Sequence, residues 1–223
     1  MDNVGVSPLS GWVAPTSAGL RLAEVPFLTQ VNLRLGAKGP AADAVGLELG
    51  VRLPVEPGTS VRSGALTVLW LGPDEWLMLA PWSRQERGQP APAQAPAPWL
   101  LSRQERGQTA PPQAPAPWPG GAPVEQRLRA AIGAEPASVV DVSAQRTTIL
   151  VAGAHARDLL AHGCALDLHP TAFPVGRCAQ TLLARAQVVL VAIDGEPAYW
   201  LLVRSSFARY VAEWLEDASV EYR

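Results

Sequence analysis

The sequence predicts an α+β protein made of two pseudo-repeated α/β sandwich units, and three observations carry that prediction. One order of signals, namely a helix-like stretch, a Gly, a short run ending near Leu and Pro, a second Gly and two apolar strands, occurs twice along the 223 residues. Each occurrence is closed by an amphipathic helix. A Pro/Ala-rich stretch interrupts the first copy just before its closing helix and leaves the rest of the pattern intact.

Residues 1–20 read as an N-terminal extension, and the first unit runs over 21–135. Thr29, Val31, Leu33 and Leu35 alternate with polar residues, the period-2 signature of a strand with one buried face. Ala41 to Leu49 is helical and stops at Gly50; Val51 to Pro54 and Gly58 lead into the apolar runs Ala65 to Leu71 and Trp76 to Ala80. These runs suit strands, being short and rich in Val, Leu and Trp. The closing helix, 123–132, has Pro123 in its first turn, where a missing N–H costs nothing. Val124, Leu128, Ala131 and Ile132 share one face, and Gly133 stands just past its end.

The second unit, 136–223, repeats this order. Ala154 to His162 is followed by Gly163, Cys164 to Pro170, Gly176, and the strands Gln187 to Ile193 and Ala198 to Arg204. Asp194-Gly195 supplies the turn that a two-residue hairpin demands. Helix 206–218 places Phe207, Tyr210, Val211, Trp214, Leu215 and Ala218 on one stripe, with Ser205 and Ser206 as candidate caps. A stripe of that kind needs a sheet to cover. Two ferredoxin-like units follow.

The interruption, 82–121, holds a 19-residue tandem duplication: Ser83 to Trp99 recurs as Ser102 to Trp118 with only Pro90/Thr109 and Ala93/Pro112 changed. Ten of the 22 prolines lie between 81 and 121, so neither helix nor ladder hydrogen bonds can persist. The segment reads as a solvated spacer that loops out of the fold. Trp82, Trp99 and Trp118 belong to it or to its edge, whereas Trp70, Trp76, Trp200 and Trp214 sit in strands or on the helix stripe.

Composition narrows the function. With 48% apolar and 17% charged residues the chain has ample core material. A net charge of −2, with basic residues that are scattered Arg and the single Lys38, excludes a nucleic-acid surface built on clustered charge. Met1-Asp-Asn-Val-Gly5 lacks a signal-peptide pattern, and no run reaches the roughly 18 to 20 apolar residues of a membrane span. A cytoplasmic chain without membrane contact is expected, its two cysteines, Cys164 and Cys178, kept as thiols.

Few residues assemble into reactive chemistry. His155, His162, Cys164, His169 and Cys178 cluster in sequence, but His155 and His162 stand about 10 Å apart along a helix by its 1.5 Å rise, far from a shared zinc ion. Asp158 and His162 at i, i+4, with Ser143 beside Asp141, sketch a hydrolytic triad without a Gly-x-Ser-x-Gly elbow, and a helical charge pair is the plainer reading. Neither Gly-x-Gly-x-x-Gly nor Gly-x-x-x-x-Gly-Lys occurs. No catalytic, cofactor-binding or metal-binding residue is assigned. Aromatic and Arg anchors near element ends leave Trp76, Arg204 and Phe207 as candidate interface residues.

Several strings are specific in combination: Val139-Val-Asp-Val-Ser143, Gln145-Arg-Thr-Thr-Ile149, Ala156-Arg-Asp-Leu-Leu-Ala-His-Gly-Cys-Ala-Leu-Asp-Leu-His-Pro170, Phe173-Pro-Val-Gly-Arg-Cys-Ala-Gln-Thr181 and Leu201-Leu-Val-Arg-Ser-Ser-Phe-Ala-Arg-Tyr210. With Trp70-Leu-Gly-Pro-Asp-Glu-Trp-Leu-Met-Leu-Ala-Pro81, Arg52-Leu-Pro54 and Val25-Pro-Phe-Leu-Thr-Gln-Val-Asn-Leu33, they resemble the gamma subunit of heterotetrameric sarcosine oxidase. More distantly the chain resembles the folate-binding aminomethyltransferase family, which implies an aminomethyltransferase-like fold.

The resemblance implies a noncatalytic subunit beside alpha, beta and delta subunits. Those would carry FAD, FMN, NAD, tetrahydrofolate and zinc, and the complex would demethylate sarcosine to glycine, forming 5,10-methylenetetrahydrofolate and hydrogen peroxide. Aminomethyltransferases carry a Gly-Gly-x-x-Asp-Asp stretch where an acidic residue assists the folate amine. Here the corresponding run, Arg185-Ala-Gln-Val-Val-Leu-Val191, has no carboxylate to offer. A freestanding folate-binding protein of the aminomethyltransferase type is the alternative.

Overall fold

The computed structural model describes residues 6–81, 124–194 and 197–222. In chain order the elements are β1 (Thr16–Ser17), β2 (Leu20–Val25), β3 (Thr29–Leu35), α1 (Pro40–Leu49), β4 (Ser60–Ser63), β5 (Leu66–Gly72), β6 (Glu75–Ala80) and α2 (Val124–Ile132). Then come β7 (Ala137–Asp141), β8 (Arg146–Ala152), α3 (Ala156–Ala161), β9 (Cys178–Leu183), β10 (Ala186–Ile193), β11 (Ala198–Arg204) and α4 (Ala208–Ala218). The duplicated insertion, Pro123, Gly195 and Trp82, Trp99 and Trp118 lie outside the described residues.

The strands form two sheets, ordered β4-β5-β6-β3-β7 and β1-β2-β8-β11-β10-β9. Every neighbouring pair is antiparallel. In the first, helices after β3 and β6 and the order β5-β6-β3-β7 make the ferredoxin-like βαββαβ arrangement, with β4 lengthening one edge. In the second, β10-β11-β8 with α3 after β8 and α4 after β11 repeats it, and β9 takes the edge that β4 takes in the first. The pseudo-repeat expected from the sequence is therefore present as an α+β fold with two antiparallel sheets.

The fourth strands are exchanged, and this corrects the expected boundaries. Among the described residues, one compact unit takes 28–81 and 124–143, the other 6–27, 144–194 and 197–222. Part of the supposed N-terminal extension is thus structural: β1 joins β2, and β2 completes the second sheet by pairing with β8 from Arg21↔Ala152 to Val25↔Thr148. Conversely β7, read as the start of the second unit, pairs with β3 from Val31↔Asp141 to Leu35↔Ala137. Local alternation marks a strand and its buried face, whereas the sheet it joins is decided by pairing with a partner distant in sequence.

Each unit has its own core. In the first, Val45 and Leu49 of α1 and Leu128 and Ile132 of α2 cover Val31, Leu33, Val68, Trp76 and Met78. In the second, Leu159 and Leu160 of α3 and Val211 and Leu215 of α4 cover Ile149, Val151, Leu190, Leu201 and Val203. Each such side chain is worth about 1.5–3 kcal/mol when fully buried. α1 starts at Pro40 and stops at Gly50, whose φ of 66° is the left-handed cap and whose N–H reaches the carbonyls of Gly46 and Leu47.

The last helix differs from expectation. Ser205–Phe207 is a 3₁₀ turn, and α4 proper begins at Ala208 without a side-chain cap. Instead of capping, the Ser205 hydroxyl donates to the Ala144 carbonyl at 3.0 Å. Winding at about 3.0 residues per turn throws Phe207 out of phase with the α-helical stripe. Phe207 and Tyr210 are 43% and 37% exposed, while Val211 and Leu215 stay buried and Trp214 packs at the margin of the core. Among the described residues no helix is long and apolar enough to cross a membrane.

Candidate partner interface

Arg204 ends β11, and its direct cross-strand partner on β8 is Arg146. Opposed residues on antiparallel strands send their side chains to the same face. Val203 and Val188, one step along, belong to the helix-covered core, so Arg204 and Arg146 share the opposite face. Gln187 and Leu182, themselves paired, continue the row across β10 and β9. One row further along this face Thr148, Leu202 and Val189 are buried. Where that face turns polar it forms a cleft of about 340 Å³, lined by Arg146, Gln180, Leu182, Gln187, Val189 and Arg204 among others.

The cleft is electropositive. None of its lining residues carries a carboxylate. The Arg146 guanidinium donates to Gln145 Oε1 at 2.6 Å, whereas Arg204 is exposed and forms no ion pair among the described residues. Three residues beyond Arg204 the exposed rings of Phe207 and Tyr210 meet edge to face, centroids 6.3 Å apart at 86°. Aromatic rings beside Arg are the composition of interface anchors. Tyr210 and Arg146 escaped the sequence reading: Tyr210 looked like part of a buried stripe, and nothing local announces the Arg146–Arg204 pairing.

Trp76 does not belong to this surface. It is fully buried, opposite Leu33 in the core of the first unit, and its indole N–H donates to the Pro54 carbonyl at 2.7 Å. Its place next to the Pro73-Asp74 turn suggested exposure. Alternation along β6 instead turns it under α1 and α2, where its single polar atom has a partner.

The remaining candidate groups are in structural use. His155 stacks on Tyr222 with ring centroids 5.0 Å apart, and His162 Nε2 lies 2.9 Å from the Tyr222 hydroxyl. Asp158 pairs with His155 at 3.6 Å rather than with His162. Desolvation, then the Asp158 and Glu221 carboxylates, push the Tyr222 phenol above its ordinary 10.0. His169 Nδ1 sits 2.8 Å from the Thr171 hydroxyl, and both cysteines are buried outside any disulfide. Ser143 accepts the Gln30 N–H at 2.9 Å and donates its own N–H to Asp141 Oδ1 at 2.8 Å, a strand-end turn. Among the described residues no three His, Cys, Asp or Glu side chains are grouped to hold a metal ion.

Comparison with known proteins fixes the family. The model of the sarcosine oxidase, gamma subunit family matches residues 110–221. The sarcosine oxidase subunit gamma of Corynebacterium sp. (strain P-1) and that of Arthrobacter sp are each 33% identical to this chain, over 93% of it and 83% of their own length. The chain belongs to the sarcosine oxidase gamma subunit family. A chain of the heterotetrameric sarcosine oxidase from Corynebacterium sp. U-96, solved in complex with pyrrole 2-carboxylate, is similar to this gamma-family chain with a TM-score of 0.74 and 29% identity. That likeness covers 98% of this chain and 96% of the other.

The glycine cleavage system aminomethyltransferase T from Bartonella henselae shares only the fold, with a TM-score of 0.55 at 12% identity over 89% of this chain and 45% of that one. Both expected resemblances are thereby borne out, the gamma subunit family closely and the aminomethyltransferase at the level of fold. The strings that suggested the gamma family now have places: Arg146–Ala152 is β8, Ala156–Ala161 is α3, Cys178–Leu183 is β9, and Leu201 to Tyr210 carries the end of β11 into α4.

Proposed function

We propose that this gamma-family chain is a noncatalytic subunit of a heterotetrameric sarcosine oxidase, contributing structure and contact surface while alpha, beta and delta subunits hold FAD, FMN, NAD, tetrahydrofolate and zinc. The observation that carries this reading is the near full-length likeness to a chain of the Corynebacterium heterotetramer, 98% of one on 96% of the other. The fold-only likeness to an aminomethyltransferase, at 12% identity, favours a freestanding transferase far less.

The noncatalytic part of the proposal rests on the chain's own side chains. β10 carries no carboxylate where a folate amine would need one. Ser143, His155, His162 and His169 are engaged in turns and ring contacts. The contact surface would be the exposed edge of the second unit, with Arg204 and Phe207 as anchors and Tyr210 beside them. Permanent complexes bury upward of about 2,000 Å², so these anchors would be the centre of a larger patch.

The test is co-expression of the complex with and without this chain, followed by sarcosine turnover and particle size. Loss of the tetramer, and of turnover with it, is the expected result. Full activity in an unchanged particle from the other three subunits would overturn the proposal, and tight tetrahydrofolate binding by the lone chain would turn it toward the transferase.

A further inference from the structure

We propose that residues 6–27 are an exchangeable arm through which this chain pairs with a second copy of itself, each copy docking its β2 on the β8 of the other. This goes beyond the subunit reading and does not depend on it. The arm precedes the first unit in sequence yet belongs to the second. One short link, Pro26–Leu28, carries the chain from the end of β2 to the start of β3.

At that link the sequence and the backbone disagree. Val25 precedes a proline and so favours an extended conformation; Pro26 is held at a φ suited to extended chain; an aromatic residue at position 27 favours a strand. Phe27 nevertheless has φ of 58°, in the left-handed region that a bulky side chain rarely occupies. Ala184, the other non-Gly residue with positive φ among those described, sits in the turn between the paired strands β9 and β10, where hairpin geometry calls for it. β2 and β3 belong to different sheets, so no hairpin ladder explains Phe27. An opened link lets Phe27 return to an extended conformation, and a short hinge under strain favours exchange.

The contacts of the arm survive the trade. β2 pairs with β8 from Arg21↔Ala152 to Val25↔Thr148, and Leu9, Leu20 and Leu22 are buried in the core of the second unit. The Trp12 indole N–H donates to Glu216 Oε1 at 2.5 Å, the Ser17 hydroxyl to the Tyr222 carbonyl at 2.6 Å and the His155 N–H to the Gly19 carbonyl at 3.0 Å. Each of these joins the arm to the second unit, so the same set forms whichever copy supplies the arm. A traded pair then differs from two closed monomers in its two links and in the entropy of association, which makes the balance depend on concentration. A copy of this chain is the occupant that brings Leu9, Trp12, Leu20 and Leu22 in the order this site already accepts.

The test uses the full-length chain with Arg21→Cys and Ala152→Cys, positions directly opposed across β2 and β8. Such a pair holds its Cβ atoms about 4.5–5.5 Å apart, close to the span of a disulfide, and the native Cys164 and Cys178 are buried outside any disulfide. The chain is concentrated stepwise, sized by light scattering, oxidised and run on a non-reducing gel. A dimer that grows with concentration and becomes covalent on oxidation is the expected result. A chain that stays monomeric at every concentration, or a dimer whose new disulfides all lie within one chain, overturns the proposal. Phe27→Gly removes the strain at both links and should lower the dimer association constant at least roughly 30-fold, read by the same sizing without any added cysteine. Association equal to wild type in that variant would sink the strained link, and the arm exchange with it.

Discussion

Gly153→Ala tests the strand exchange directly. Gly153 follows β8 with φ of +115°, and a Cβ placed there would lie 2.4 Å from the Gly19 oxygen, 2.8 Å from its carbonyl carbon and 3.1 Å from Leu20 Cα. All three contacts are backbone, so no side chain can swing away. The Gly153 N–H meanwhile donates to the Pro197 carbonyl at 2.9 Å, and the His155 N–H donates to the same Gly19 oxygen at 3.0 Å, which fixes both sides of the clash. A non-Gly residue at this φ costs about 1–3 kcal/mol, and forcing the N-terminal strand away adds about 1–3 kcal/mol. The expected loss is about 2–6 kcal/mol, or roughly 4–24 °C in Tm at about 2–4 °C per kcal/mol for a chain of this size.

The control is Gly133→Ala, where φ is +65° and a Cβ meets nothing within 4 Å. That variant should lose only the strain, about 1 kcal/mol. Thermal unfolding of the two full-length variants beside wild type, followed by circular dichroism, reads the difference. Equal shifts would mean that residues 19–20 do not lie against Gly153, and the assignment of β2 to the second sheet would fall with them.

Trp76→Phe removes a buried indole N–H from the Pro54 carbonyl and shrinks a filled site, so it should cost about 2–4 kcal/mol in denaturant unfolding; unchanged stability with lost assembly would return Trp76 to the interface. Phe207→Ala and Tyr210→Ala should each leave stability within about 0.5 kcal/mol yet weaken subunit retention by more than about 1 kcal/mol in sedimentation assays. Retention equal to wild type in both would remove the aromatic pair from the contact surface. Deleting one duplicated copy, Ser83 to Leu101, should leave Tm and assembly almost unchanged, since the loop-closure term shifts by only about 0.2 kcal/mol; loss of soluble expression would show that the copy packs on the fold.

Elements were legible where one local signal decides them. Thr29 to Leu35 alternates and is β3; the run from Ala41 to Gly50 carries a helix and its left-handed stop; the two apolar runs on either side of Asp194 pair as a hairpin. What escaped is what long-range register decides. β2 and β7 look alike as strands, and only their ladders with β8 and β3 send them to opposite sheets. Arg146 and Arg204 become neighbours through the same kind of pairing. Phe207 and Tyr210 fit a 3.6-residue stripe on paper, until the 3₁₀ start rotates Phe207 away and leaves Tyr210 at the margin of the buried face. Trp76 misled in the other direction, because nearness to a turn does not expose a strand residue: Trp76 to Ala80 are all buried, and Trp76 lies on the face that α1 and α2 cover.

The exchanged strands also explain how the chain accommodates a long interruption. Pairing of β2 with β8 brings together residues such as Glu24 and Thr147, 123 positions apart and hydrogen-bonded at 2.6 Å, so residues 82–121 lie inside the loop that this pairing closes. Because closure entropy grows only with the logarithm of length, enlarging that loop by the whole insertion costs about 0.4 kcal/mol. Against it stand Leu20, Leu22 and Val25, exposed by no more than 4% each, with about 1.5–3 kcal/mol for each apolar side chain fully buried. The strand's own burial exceeds the entropic charge by roughly tenfold. The insertion can therefore lengthen or shorten by whole copies without deciding whether β2 docks, whereas one methyl group at Gly153 acts on the docking itself.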